Sequence, residues 1–298
     1  MFNKIIAKTL PIVPKAIVKA VAKRYIAGDS LNDAIQKTKE LEKKGASATI
    51  DVLGEFVHTS EEAEHSRDMS AQVIEAIRQN KLPAYLSVKL TSLGLDIDKQ
   101  FGYDNVKELV DQARQAKIFV RMDMENTPYT DTTLKFYRKL REDGYDNVGV
   151  VIQAYLKRSE KDIKALVDYK ASVRLCKGIY VESADVAFKN PEEIRANYKK
   201  LLKILVENQM RVGIATHDDN LISFAEQYIG GGKISKEQYE FQMLLGVRED
   251  RRDDLIKKGH HVRIYVPFGE DWYGYSVRRL KENPQIAGYV LKSLITGK

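Results

Sequence analysis

The sequence has a single cysteine, Cys176, among 298 residues. An intramolecular disulfide and a cysteine-based zinc site are therefore excluded, and a reducing cytosol is the simplest compartment. Apolar runs are short, and none approaches the roughly 18 residues of a membrane-spanning helix. The five histidines are His58, His65, His217, His260 and His261. They form no H-x-H pair on the first apolar run and no H-E-x-x-H, so no metal site is expected. A serine nucleophile lacks its G-x-S-x-G elbow. No G-x-G-x-x-G follows the first apolar run, which removes the main support for a dinucleotide-binding open sheet. The run Gly230-Gly231-Gly232 lacks the Lys-Ser/Thr of a phosphate loop and reads as a loop. Arginine-rich runs and basic-aromatic motifs are also missing, so the net charge of +7 does not point to nucleic acid.

What is present is a globular composition, with 43% hydrophobic and 31% charged residues. The length suits one (βα)8 barrel, which commonly takes about 250 residues. Part of the basic excess is local, because residues 1–28 hold six Lys or Arg and no acid. Lys4, Lys8, Pro11, Pro14, Lys15 and Lys19 interrupt any signal-peptide core there. Ile12, Val13, Ile17, Val18 and Val21 could form one apolar face. The segment therefore reads either as a basic amphipathic helix on anionic lipid or as a helix docked on the barrel.

From residue 48 onward one pattern recurs, a β-rich apolar run followed by a helical stretch. The runs are ATIDVLGEF (48–56), AYLSVKLTSLG (84–94), IFVRMDMEN (118–126) and VGVVIQAYL (148–156). They continue as SVRLCKGIY (172–180), RVGIATHD (211–218), YEFQMLLGV (239–247) and HVRIYVPFG (261–269). Helices are expected over 61–79 with Ser60 as cap, and over 105–116, 131–143, 160–169, 191–208 and 221–228. Asn190 caps the fifth of these, ahead of Pro191. A further helix runs from Leu31 to about Lys44 and ends at Gly45. Strands alternating with helices imply parallel pairing and crossovers. The expected architecture is an α/β fold, a distorted (βα)8 TIM-type barrel over 46–298 behind a helical segment over 1–45. An open doubly wound sheet is the alternative.

Barrel strands buried on both faces should be apolar. Asp51, Lys89, Arg121, Asp123, Glu125, Gln153, Arg174, Lys177, Thr216, His217 and Gln242 break that rule. Unpaired buried charges cost several kcal/mol each, so these groups must pair or bind something. They read as an active site at the C-terminal strand ends, or as an internal ion-pair network. In the last helix Tyr275, Arg278, Arg279 and Glu282 share one face, after Tyr265 and Phe268 on the preceding run. Paired arginines beside aromatic rings suit a small carboxylate with an apolar body, and a solvated outer face is the bland reading. His260 and His261 fall at the opposite end of the strands from the expected site.

YVPFGEDWYGYSVRRLKENP (265–284) resembles the C-terminal signature of proline dehydrogenases. The resemblance extends through DVLGE (51–55), SVKL (87–90), MDME (122–125), VIQAY (151–155), RLCKGIY (174–180), ATHD (215–218) and EFQMLLGV (240–247), in the family's order. It covers about residues 24–298, and the compact length is similar to the monofunctional bacterial enzymes. The resemblance implies a barrel that binds FAD and oxidises L-proline to Δ1-pyrroline-5-carboxylate. Electrons then pass to a membrane quinone, and a separate pyrroline-5-carboxylate dehydrogenase would take the product. A cytoplasmic protein is expected, peripheral at the inner face of the cell membrane if the basic N-terminal segment lies on lipid and not on the barrel.

By motif position, the resemblance gives Arg278, Arg279 and Lys89 to the proline carboxylate. Tyr265 and Tyr275 would pack the ring, with Tyr180 nearby, and Tyr265 would leave no room for a ring hydroxyl. Asp123 would support the pocket, Glu55 would pair with Arg278 as a gate, and Arg174 would sit near flavin N5. Gln153, Cys176, Lys177 and Gly178 would line the flavin. Thr216, His217 and Glu282 would hold more distal parts of it. Asp218, Val181 and Asn126 depart from the family's usual Asn, aromatic and second acid. A barrel enzyme working on a small carboxylate without flavin, or a catalytically silent barrel, are the competing readings.

Overall fold

The computed structural model describes residues 24–276 except 233 and 274. Most of the basic N-terminal segment, and Arg278, Arg279 and Glu282, lie outside the described residues. Eight parallel strands close into a barrel in chain order. They are β1 (Ser47–Val52), β2 (Ala84–Val88), β3 (Val120–Met122) and β4 (Val148–Gln153), then β5 (Ser172–Cys176), β6 (Arg211–Ala215), β7 (Tyr239–Leu244) and β8 (Val262–Phe268). β8 returns to β1 with Thr49 opposite Tyr265, which leaves no open edge.

The strands form because their outward residues are small or branched and the crossover helices cover them. Ala48 and Ile50 in β1, Leu86 in β2 and Val120 in β3 are fully buried in one continuous core. The helices are α1 (Leu31–Lys43), α2 (Ser60–Asn80), α3 (Lys99–Gln115), α4 (Thr127–Glu142), α5 (Ser159–Lys164), α6 (Pro191–Glu207), α7 (Asp219–Gly230) and α8 (Glu249–Lys257). α1 lies against β8 and β1, and its Ala34 and Leu41 join the barrel core.

One local expectation needs correction, and one helix was not expected. Ser60 is the first residue of α2, and Thr59 is its cap. Thr59 Oγ1 accepts the Glu62 N–H at 3.2 Å while Glu62 Oε2 accepts the Thr59 N–H at 3.3 Å. This reciprocal box needs its acid three residues after the cap, which fits Thr59 and not Ser60. α8 has no counterpart in the sequence reading. Asn190 does cap α6 ahead of Pro191, accepting from the Glu192 N–H at 2.9 Å.

Candidate functional site

The C-terminal ends of the strands open onto a cleft of about 1020 Å³. Lys89 follows β2 directly and Asp123 follows β3, while Arg174 and Tyr265 point in from β5 and β8. The structure brings these four expected residues into one hydrogen-bonded cluster. Asp123 Oδ1 accepts from Arg174 Nη1 at 2.7 Å and from Ser87 Oγ at 2.8 Å, and Oδ2 accepts from the Tyr265 phenol at 2.8 Å. Lys89 Nζ donates to both Asp51 oxygens at 2.8 Å and lies 3.4 Å from the Tyr265 oxygen. The Arg174 guanidinium also stands 5.3 Å from the Tyr265 ring centre, in cation–π range.

Every one of these charges is paired, as buried charges must be. Burial, countered by Lys89 and aided by Asp123, pushes the Asp51 carboxyl up to about 6. Burial opposes the charge on Lys89, yet Asp51, Asp123 and Glu55 carry it above its ordinary value, so it stays a cation. Burial and then Asp123 hold the Tyr265 phenol well above its usual range, which keeps it a neutral donor. The described cations Lys89 and Arg174 are balanced by Asp51 and Asp123. An anionic substrate therefore needs further positive charge at the cleft.

The remaining expected residues that are described line the same cleft. Glu55 and Tyr275 stand beside the cluster, and Gln153 is held by donating Nε2 to the Glu125 carbonyl at 2.8 Å. Cys176, Lys177, Gly178 and Tyr180 form the wall after β5, and Thr216 and His217 the wall after β6. His217 Nε2 accepts the Leu244 N–H at 2.9 Å, which fixes its ring against β7. Burial pushes the Cys176 thiol up to about 12, so it is no nucleophile. Gly178 has φ +108°, and a Cβ there would lie 2.1 Å from the Tyr155 ring, so only glycine fits this wall.

Besides Asp51, which Lys89 holds, two of the polar strand residues lie outside the cleft wall. The Arg121 guanidinium donates to the Ser172 and Val150 carbonyls at 2.6 and 3.0 Å, and burial draws it down to about 9. The Glu125 carboxylate takes the Thr91 N–H at 3.1 Å and the Thr91 hydroxyl, and burial raises it to about 7. Both are internal struts. Sequence reasoning missed Ser87, Thr49, Arg195 and Arg248. The first two are ordinary strand residues in sequence, and the last two sit on helix and loop segments. Ser87 joins the site by its hydrogen bond to Asp123, and the cleft gathers the other three.

The cleft's size and chemistry fit a flavin dinucleotide. Its volume stands at the top of the roughly 300–1,000 Å³ range of small-ligand sites. Polar and cationic groups line it, and Lys177, Arg195 and Arg248 gather near the start of α7, the first two paired with Asp218 and the third with Asp219. Among the described residues no group of three His, Cys, Asp or Glu could hold a metal ion.

A family model described as proline dehydrogenase matches residues 34–291. The chain is 38% identical over 289 residues to Proline dehydrogenase 1 of Bacillus subtilis subsp. natto, spanning 97% of this chain and 95% of that protein. It is 34% identical over 281 residues to Proline dehydrogenase of Deinococcus radiodurans, covering 93% of this chain and 91% of the relative. The crystal structure of proline utilization A from Bdellovibrio bacteriovorus, inactivated by N-propargylglycine, superposes with a TM-score of 0.85 at 26% identity. That match covers 95% of this chain and 36% of the larger protein, so the chain spans about a third of its length.

Proposed function

The chain belongs to the proline dehydrogenase family, and from that premise we propose how its residues carry the oxidation of L-proline. The enzyme converts proline to Δ1-pyrroline-5-carboxylate, the first step of proline catabolism. A bound FAD would supply the hydride acceptor, N5 of its ring, and pass electrons to a membrane quinone. The observation that carries this reading is the cluster in which Asp123 joins Arg174 and Tyr265 next to the Lys89–Asp51 pair.

Lys89 meets the substrate carboxylate. Arg278 and Arg279, which the motif assigns to the same group, supply the extra positive charge that the balanced cluster lacks. Tyr265 lays its ring against the pyrrolidine and is kept in place by Asp123. Tyr275 closes the other side, with Glu55 at the gate. Arg174 holds a cation beside the reacting centre, where it stabilises the negative charge that develops. Lys89 and Arg174 also favour the neutral substrate amine over its protonated form. Gln153, Cys176, Gly178 and Tyr180 form the cofactor wall, with Thr216, His217 and Glu282 towards its distal end. No helix among the described residues is long and apolar enough to cross a membrane. We assign peripheral contact with the quinone's membrane to the basic N-terminal segment, on its six Lys or Arg and no acid over residues 1–28.

The test is the visible spectrum of the purified protein before and after anaerobic L-proline. A flavin band that bleaches is the expected result. A colourless protein that stays inactive after reconstitution with FAD refutes the reading.

Asp218, where the family more often has asparagine, draws off cations at the distal end. It accepts from Arg195 Nε at 2.9 Å and Lys177 Nζ at 3.3 Å. It also caps α7, accepting from the Asn220 N–H. Asparagine caps equally well. Asp218→Asn should therefore keep the fold and free both cations for a cofactor phosphate. At up to about 1 kcal/mol, FAD should bind about five-fold tighter. Titration of the apoprotein by flavin fluorescence reads this, and weaker binding would place the phosphates elsewhere.

A further inference from the structure

Beneath the substrate cluster the barrel encloses an ion pair that the proposed chemistry does not use. Glu240 and Arg263 face inward from β7 and β8, both buried. Arg263 Nε donates to Glu240 Oε1 at 2.8 Å, and its Nη1 donates to the Ala48 carbonyl at 2.7 Å. The other Glu240 oxygen lies 3.3 Å from His261 Nδ1. That oxygen accepts no hydrogen bond, so the carboxylate is held through Oε1, by Arg263 and by the next residue in the row.

Gln242, two residues on and so on the same strand face, donates Nε2 to Glu240 Oε1 at 2.6 Å. Its Oε1 then faces up the barrel and accepts Arg174 Nε at 2.5 Å. The polarity of this row is forced. Arginine offers only donors, and an ionised carboxylate only acceptors. A flipped amide would set NH2 against the Arg174 N–H and oxygen against the carboxylate. Burial works to raise the Glu240 carboxyl, but Arg263, with His261 and Gln242, more than offsets it and holds it at about 2, so the acceptor-only state persists.

The backbone is shaped for this row. Gly213 of β6 stands between Arg174 of β5 and Glu240 of β7 in register. A Cβ there would lie 2.4 Å from Gln242 Nε2. The missing side chain is the gap through which β5 and β7 side chains meet across the intervening strand.

We propose that Glu240 is a positioning residue for proline oxidation, acting through Gln242 to fix the orientation of the Arg174 guanidinium. This rests on the reading of Arg174 as the cation at the reacting centre. The ion pair below sets the amide, the amide sets Nε of Arg174, and Asp123 sets Nη1. The guanidinium plane is thereby held at two edges.

The test is kinetic and potentiometric, on the flavin-loaded enzyme. Three changes are compared: Gln242→Met, Gly213→Ala, and Glu240→Gln joined to Arg263→Met so that no floor charge is stranded. Gly213→Ala touches no charged group and displaces only the amide. Each should lower kcat about 10- to 100-fold with the proline KM little changed, because a positioned group is misplaced while the carboxylate contacts remain. The midpoint potential of the bound flavin should move negative, as the cation is less well aimed. Adding the Glu240/Arg263 exchange to Gln242→Met should cost nothing further, since both cut one row. Multiplicative losses, or unchanged kcat and potential with only a lower Tm, overturn the proposal. Arg174→Met separates the two readings. If it lowers kcat and shifts the potential while the Gln242 and Gly213 variants do neither, the positioning role fails alone. If Arg174→Met changes neither, the Arg174 reading fails and takes the proposal with it.

Discussion

Replacing Asp123 by asparagine should lower kcat/KM for L-proline by about two to three orders of magnitude while flavin stays bound. The side chain keeps its shape, so the loss isolates its acceptor capacity. Asp123 accepts three hydrogen bonds on two oxygens, from Arg174, Ser87 and Tyr265. An asparagine offers one oxygen and a donating NH2. If the oxygen stays towards Arg174 and Ser87, the NH2 meets the Tyr265 phenol, which loses its acceptor. If the amide turns, a donor faces the Arg174 guanidinium. Either way one group that we assign to the substrate pocket loses its anchor, and Arg174 loses its only described carboxylate partner. Burial makes this costly, because Arg174 and Tyr265 have little water to turn to. Steady-state kinetics with the flavin content measured on the same sample reads the effect. A change smaller than about three-fold would remove Asp123 from the machinery.

The barrel was legible because its strands carry a strong, repeated signal. All eight apolar runs form strands in the expected order, and most of the polar residues within them line the mouth, with Asp51, Arg121 and Glu125 as the exceptions. The helix ends were less legible. α3 begins at Lys99, six residues before the expected start, although it contains Gly102. That glycine lowers helix propensity, but a Cβ there would lie 3.0 Å from the Leu95 backbone, so packing overrides propensity. α4 begins at Thr127, before its expected start at 131, with Pro128 in its first turn. α8 was invisible because EDRRDDLIK has no apolar stripe, and only Arg252 and Leu255 are buried. Its form rests on ion pairs such as Arg252–Glu249 and on Arg251 reaching Glu226 of α7.

For the site, residue types were readable and partners were not. Lys89 and Asp51 were both marked as misplaced charges, yet nothing in a single sequence states that β1 and β2 bring them together at 2.8 Å. Glu240 and Arg263 belong to no motif of their own, although E-F-Q and R-I-Y place polar residues on one face at period two. Gly213 carried its meaning only through register. A glycine in a strand signals close approach, but what approaches comes from neighbours on other strands.

The same pairing logic sets the largest expected loss of stability. Lys89→Met removes a buried cation and leaves Asp51 fully enclosed without its partner. Breaking a buried pair from one side costs about 3–5 kcal/mol. For a chain of this size that is a fall in Tm of about 6–10 °C. The loss should depend on pH, and its sign follows from the Asp51 carboxyl. With Lys89 present its folded value already stands at about 6, above the ordinary 3.8. Without Lys89 it must rise further, because burial then acts unopposed by that cation. A group whose folded value is raised stabilises fully below its unfolded value and loses that contribution as pH climbs through the folded one. The Tm deficit of Lys89→Met should therefore be smallest near pH 4–5 and grow above about pH 6. Adding Asp51→Asn to Lys89→Met removes the stranded charge and should recover most of the stability at pH 8, while activity stays low because the cation we assign to the substrate carboxylate is gone. Thermal melts of the two variants across that range decide it. A deficit independent of pH, or one the second substitution fails to relieve, would mean that Lys89 stabilises the barrel by packing and not by its charge.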